Sequence, residues 1–163
     1  MKDFNWTEFT RRIAVKALKS QLYNAWTRPD EIERWFLSKA VFTQDGEEML
    51  PYSNVQAGAE YAWSWYGYDV TERGRITEAN GTDHIQFTFA GECLVDVTLR
   101  EEHDAVVVEL RQHNIPTDDA SKRGIRLGCA SGWSFFLLNL KSVYEGGLDL
   151  RNKDDRFKGH INN

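Results

Sequence analysis

The sequence lacks the short motifs that mark the commonest catalytic and phosphate-binding sites. There is no Gly-x-Ser-x-Gly, no Walker loop, no Gly-x-Gly-x-x-Gly and no Ser-His-Asp order. It also has little cysteine. The two residues, Cys93 and Cys129, fall on different expected elements and form no Cys-x-x-Cys pair, which excludes a zinc knuckle and a thioredoxin-type motif. Two free thiols in a reducing cytoplasm is the favoured reading, and a buried disulfide the lesser one. Of the histidines, His84, His103, His113 and His160, none pairs at i, i+4 and none sits in a carboxylate–histidine ligand motif, so no metal is expected. The first residues, MKDFNWTEFTRR, lack the apolar core and cleavage site of a signal peptide. No apolar run approaches the roughly 18–20 residues that span a bilayer. Basic charge is short as well: the net charge is −5. That argues against a nucleic-acid footprint and against an anionic membrane surface. A cytoplasmic protein without nucleic-acid or membrane partners is the expectation.

What is present suits one globular domain. The chain has 163 residues, 41% hydrophobic and 28% charged, enough for a core and too apolar for disorder. Aromatic residues reach 13%, with six tryptophans, which calls for either a bulky core or an aromatic-walled pocket.

The apolar pattern has period two over most of the chain. Phe9, Ile13, Val15 and Ala17 alternate with Thr10, Arg12 and Lys16, as a half-buried strand requires. Arg11 falls on the apolar side, which places it near a sheet edge or a cavity mouth. Ser20 is the expected N-cap of a short helix carrying Leu22, Tyr23 and Trp26. Pro29 breaks that helix and suits the first position of a second one, reaching about Trp35–Phe36, with Asp30 and Glu31 in its first turn. Short strands follow from Lys39 onward. Tyr61, Trp63 and Trp65 share a face. Ile85, Phe87 and Phe89 alternate with His84, Gln86 and Thr88, and Cys93, Val95, Val97 and Leu99 with Asp96 and Thr98. Asn80–Gly81 is a strong turn between strands. Such a meander has one apolar face that needs a cover. The cover is a long helix beginning near Pro116–Asp119, with Thr117 or Asp118 as N-cap. Ile125, Cys129, Gly132, Phe136, Leu140 and Val143 recur on it at spacings of three and four. Gly146–Gly147 ends it. The residues therefore predict an α+β domain over 1–150 and a polar, loose tail over 151–163.

Three segments carry a resemblance. AWTRPDEIERWF at Ala25–Phe36, QHNIP at Gln112–Pro116 and SGWSFFLLNLKSVYEGGLDLR at Ser131–Arg151 are similar to the signatures of the family of homologues of the heat-shock-protein-90 ATPase activator. The element order resembles the START/birch-pollen-allergen (SRPBCC) superfamily to which that family belongs. The resemblance implies a helix-grip fold: a curved antiparallel sheet wrapped around the C-terminal helix, two short helices after the first strand, and a cavity between them. It carries no single function, since one fold hosts many.

The candidate ligand-binding residues are Trp35, Tyr61, Trp63, Trp65, Phe87, Phe89, Cys129, Trp133 and Phe136. Pockets for small molecules are mostly apolar with a few polar anchors, and a buried indole N–H at Trp63 or Trp65 would be such an anchor. For each residue taken alone, simple core filling is the commoner role. Gly128 and Gly132 weaken the long helix, which either close sheet contact or room for a ligand would explain. No catalytic residue, metal or cofactor is assigned. Glu72, His113 and Tyr61 are the only candidates for acid–base work, so a binding protein for an unknown small hydrophobic ligand is favoured over a polyketide cyclase or aromatase-like enzyme. A co-chaperone-type interaction module with a chaperone partner is a third reading, and the pattern leaves monomer and homodimer open.

Overall fold

The computed structural model describes residues 3–163. Eight strands form one antiparallel sheet in the order β1-β8-β7-β6-β5-β4-β2-β3. They are β1 (Phe9–Val15), β2 (Lys39–Gln44), β3 (Glu47–Glu48), β4 (Glu60–Ser64), β5 (Thr71–Ala79), β6 (His84–Phe89), β7 (Cys93–Glu102) and β8 (Ala105–His113). The first strand closes against the last, Phe9 opposite Gln112 and Val15 opposite Val106. Period two sorts the side chains as expected. Ile85, Phe87, Val95 and Val97 are buried on one face, while Gln86 and Asp96 meet on the other at 3.0 Å. The tight turns have local causes. In the three-residue turn Ala90–Glu92 that joins β6 to β7, Ala90 and Gly91 take positive φ, 55° and 83°. At Asn80–Gly81 the Asn80 carboxamide oxygen accepts from the amides of Thr82, Asp83 and His84, each at 3.0 Å.

Two short helices, α1 (Lys19–Thr27) and α2 (Pro29–Ile32), follow β1. Two details differ from the sequence expectation. Helix α1 begins before Ser20: Leu18 is the cap residue, and its N–H donates to Gln21 Oε1 at 3.1 Å. Helix α2 stops at Ile32, short of Trp35–Phe36. The chain tightens there, Arg34 N bonding Glu31 O at 3.1 Å. This turn lets the Trp35 indole donate to Ala25 O at 2.8 Å and lets the Glu33 carboxylate accept from Ala40 N at 2.8 Å. Two tertiary bonds outweigh one more helical turn.

The covering helix has three parts: a turn at Asp119–Ser121 (α3), a π-helical segment at Lys122–Leu127, and α4 (Gly128–Tyr144). Asp118 is the N-cap, accepting from Ser121 N at 2.9 Å. Helix α4 is tied to β1 by Arg11 Nε to Ser134 Oγ at 2.9 Å, which explains an arginine of inward parity on an edge strand. Sheet and helices enclose an aromatic core in which Trp26, Trp35, Trp63, Phe36, Phe42 and Phe87 are almost fully buried. This is the α+β helix-grip architecture. The polar segment after the covering helix is anchored at its first residue, where the Arg151 guanidinium donates to Leu37 O and Glu33 O, each at 2.9 Å.

Candidate functional site

Where the covering helix meets the open end of the sheet, the core stops short of filling the space. An inner chamber of about 200 Å³ lies between Phe36, Trp65, Phe89, Trp133 and Phe136, with Gly124, Gly128, Cys129 and Gly132 on the helical side. It continues into a wider outer depression of about 650 Å³, which shares Trp65, Gly128, Gly132 and Phe136 with it and is rimmed by Tyr68, Val70, Phe135, Leu138 and Ile161. Tyr68, Val70, Leu138 and Ile161 are exposed there.

The glycines form the floor. Gly124, Gly128 and Gly132 recur every four residues across the π-helical segment and the start of α4. A Cβ at Gly124 or Gly132 would meet nothing within 4 Å, and one at Gly128 only Arg123 O at 3.7 Å. Close contact with the sheet is therefore not their reason. They leave the helix surface bare where the aromatic wall faces it.

The residues singled out from the sequence divide into two groups. Trp65, Phe89, Cys129, Trp133 and Phe136 line the chamber. Trp35, Tyr61, Trp63 and Phe87 do not line it: Tyr61 stacks on Trp63 at 3.8 Å, Trp63 meets Phe87 edge-on at 5.2 Å, and Trp35 stacks on Phe36 at 5.2 Å. Phe36, Gly124 and the rim residues were not singled out. Gly124 could have been, since it lies one helical step of four before Gly128.

Polar groups around the chamber are few. Trp133 Nε1 donates to the buried Gln112 Oε1 at 3.0 Å. The Gln112 amide nitrogen and the Trp63 indole nitrogen are buried with no well-formed partner. The thiols of Cys93 and Cys129 lie beside Gln112. Burial pushes the Cys129 thiol up to about 11, against the smaller opposing effect of the Gln112 amide. At pH 8 so little of it is thiolate that disulfide reagents should label it about 100-fold more slowly than a free cysteine, the rate rising with pH beyond 10. Labelling at the rate of a free thiol at pH 8 would contradict this.

The acid–base candidates do not converge. Tyr61 Oη donates to Thr88 O, and burial raises its ionisation further out of reach. Glu72 accepts from Ala90 N at 2.9 Å. His113 is not at the cavity mouth: it lies on the outer face of the sheet, 2.7 Å from Asp96. The parity of β8 reverses its role because the chamber lies on the Gln112 side. What the arrangement offers is an open aromatic surface against which an apolar molecule can pack.

Similar proteins agree with the architecture. The solved structure of SSP2350 from Staphylococcus saprophyticus superposes with a TM-score of 0.70 at 18% identity, covering 88% of this chain and 96% of that one. The Aha1 dimer from Colwellia psychrerythraea gives 0.65 at 18% identity, covering 86% and 97%. An AHSA1-like protein from Rhizobium etli gives 0.59 at 21% identity, covering 94% and 89%. No curated protein matches the chain. At these identities the likeness establishes the fold. The family model described as "Activator of Hsp90 ATPase homolog 1-like protein" matches residues 16–145, most of the chain. The chain belongs to the Activator of Hsp90 ATPase homolog 1-like family.

Proposed function

We propose that this protein binds a small, largely apolar molecule, with the flat or narrow end of the ligand seated in the inner chamber and its remainder in the outer depression. The observation that carries this reading is the glycine floor opposite an aromatic wall. Three glycines at one helix face weaken the helix, by roughly 0.5–1 kcal/mol each relative to alanine in a regular interior, and leave open space where no packing needs it. The inner chamber alone, about 200 Å³, is below the usual range for a drug-sized ligand. Together with the outer depression it reaches that range. The apolar lining of the inner chamber favours an aliphatic or aromatic body at that end, while Ser131, Ser134, His160 and Asn163 in the outer depression can meet a polar end. The lack of convergence among Tyr61, Glu72 and His113 favours binding over chemistry. No helix among the described residues is long and apolar enough to cross a membrane. The two unpaired thiols suit a reducing compartment.

Native mass spectrometry of the freshly purified chain, followed by a thermal-shift series with apolar and aromatic acids, tests the reading. A ligand that prefers the folded state raises the melting temperature with concentration. Gly132→Ala should raise it by itself, by roughly 1–4 °C, because alanine favours the helix and its methyl group enters open space. Gly132→Leu should fill the chamber and abolish the ligand-dependent shift. A ligand shift that Gly132→Leu leaves intact, or no shift with any compound, overturns the proposal.

A further inference from the structure

The opposite face of the sheet gathers a second set of groups that plays no part in the chamber. Glu78 lies near the end of β5, His84 and Gln86 on β6, Asp96 on β7 and His113 on β8, on four neighbouring strands. The registers Glu78 opposite Gln86 and Gln86 opposite Asp96 bring them side by side. The His84 ring sits between two carboxylates: Nδ1 is 3.4 Å from Glu78 Oε2, and Nε2 is 2.8 Å from Asp96 Oδ1. A neutral imidazole has one N–H and one lone pair, so it satisfies one carboxylate and repels the other. Among the described residues no lysine or arginine forms an ion pair with Glu78 or Asp96; their only ion-pair partners are His84 and His113. Two carboxylates around one imidazole thus lack a permanent cation.

We propose that Glu78, His84 and Asp96 form a binding site for a divalent first-row transition metal, zinc in the first instance. One ligand atom from each of the three lies within 4.8 Å of the others. Zinc bonds of about 2.0–2.2 Å put tetrahedral ligand atoms about 3.3–3.6 Å apart, so closing the set requires the His84 ring, whose two nitrogens each face one carboxylate, to turn a single nitrogen towards both. One nitrogen and two carboxylate ligands leave a fourth position for water. The mixed nitrogen–oxygen donors suit zinc, nickel or copper better than magnesium or calcium, which take oxygen alone. The surroundings resemble the outer shell of a metal site. His113 Nε2 lies 2.7 Å from the other Asp96 oxygen, Gln86 Nε2 donates to Asp96 at 3.0 Å, and Thr77 Oγ1 holds Gln86 at 2.9 Å. His113 holds the far Asp96 oxygen, while Gln86 shares Oδ1, the oxygen that faces His84. Glu78, 59% exposed, leaves a way in from solvent. The sequence hides the set because its members come from separate strands, with none of the helical i, i+4 spacing of a histidine ligand pair.

The test is zinc binding by the full chain after chelator treatment, read by native mass spectrometry and titration calorimetry. One zinc per chain is expected. His84→Gln and Asp96→Asn should abolish uptake, and His113→Gln should weaken it about 10–100-fold as an outer-shell change does. The Cys93→Ser/Cys129→Ser double variant should bind as the native chain does. No zinc uptake overturns the proposal, and so does uptake that disappears with the cysteines. Glu78→Gln decides the matter if the other variants misfold, since this exposed strand-end residue makes its ion pair with His84 alone: full affinity in that variant overturns the site.

Discussion

Replacing Arg151 with methionine is expected to destabilise the protein by about 3 kcal/mol, a fall in melting temperature of roughly 6–12 °C for a domain of this size. The side chain is 3% exposed. Its guanidinium joins the Leu37 and Glu33 carbonyls to the Asp149 carboxylate, which it meets at 2.8 Å. Methionine retains the stem, leaves the two carbonyls without these donors and removes two bonds from the carboxylate, which keeps Asn139, Lys153 and the backbone amide of position 151. Lysine should not rescue it, because a point charge with a rotating ammonium cannot hold three acceptors in one plane. The effect depends on pH in a defined direction. Burial alone would raise the Asp149 carboxyl, but hydrogen bonds from Arg151, Lys153 and Asn139 outweigh that and hold it well below the usual carboxylate range. A depressed folded-state value contributes stability that is full above the unfolded value and fades as pH falls. The difference between native and Arg151→Met proteins in urea denaturation should therefore be largest above about pH 5 and shrink towards pH 2. A constant difference across that range would show that Asp149 is not the partner that matters.

This tie also shows what the sequence could and could not reveal. Residues 151–163 read as a polar, loose tail because local pattern registers only composition. The donors that Arg151 supplies are demanded by the irregular turn after Ile32, more than a hundred positions away. Only the resemblance, whose closing Asp-Leu-Arg falls on Asp149 and Arg151, hinted at it. Strands and the covering helix were legible because burial imposes a period of two or about 3.6 on each. The chamber was half legible. Trp63 on β4 and Trp65 just past its end have the same parity, and parity cannot separate them. Yet Trp63 is 1% exposed in the core, and Trp65 stands at the opening. What separates them is distance along the strand from the end of the covering helix, a property of tertiary packing. The histidine–carboxylate cluster was invisible for a similar reason: strand register brings its members together.

Gly74→Ala should be the most damaging single methyl group in the chain, costing about 4 kcal/mol. In a strand interior glycine usually weakens the sheet, and alanine would be expected to help. Here the Cβ would sit 2.5 Å from Tyr61 Oη and 2.6 Å from Thr88 Oγ1. Neither neighbour can yield cheaply. Tyr61 lies across the bare backbone of Gly74, its partner in the β4–β5 ladder, to donate to Thr88 O on β6. Its ring is stacked on Trp63 at 3.8 Å. Thr88 Oγ1 accepts from Arg75 N at 3.0 Å, replacing a ladder bond near the irregularity between Ile76 and Glu78. A methyl group at Gly74 must displace the tyrosine, strand a buried carbonyl and disturb the aromatic stack together. Tyr61→Phe should relieve little, because the ring carbon Cζ would still lie 2.6 Å from the new methyl. Tyr61→Leu should relieve most of it: in a double-mutant cycle read by urea denaturation, Gly74→Ala on the leucine background should cost less than half its value in the native protein. Additive losses would refute the steric account. The same substitution at Gly132 has the opposite expected sign, because there the Cβ enters open space. The local vacancy, and not the residue type, decides the sign of each change.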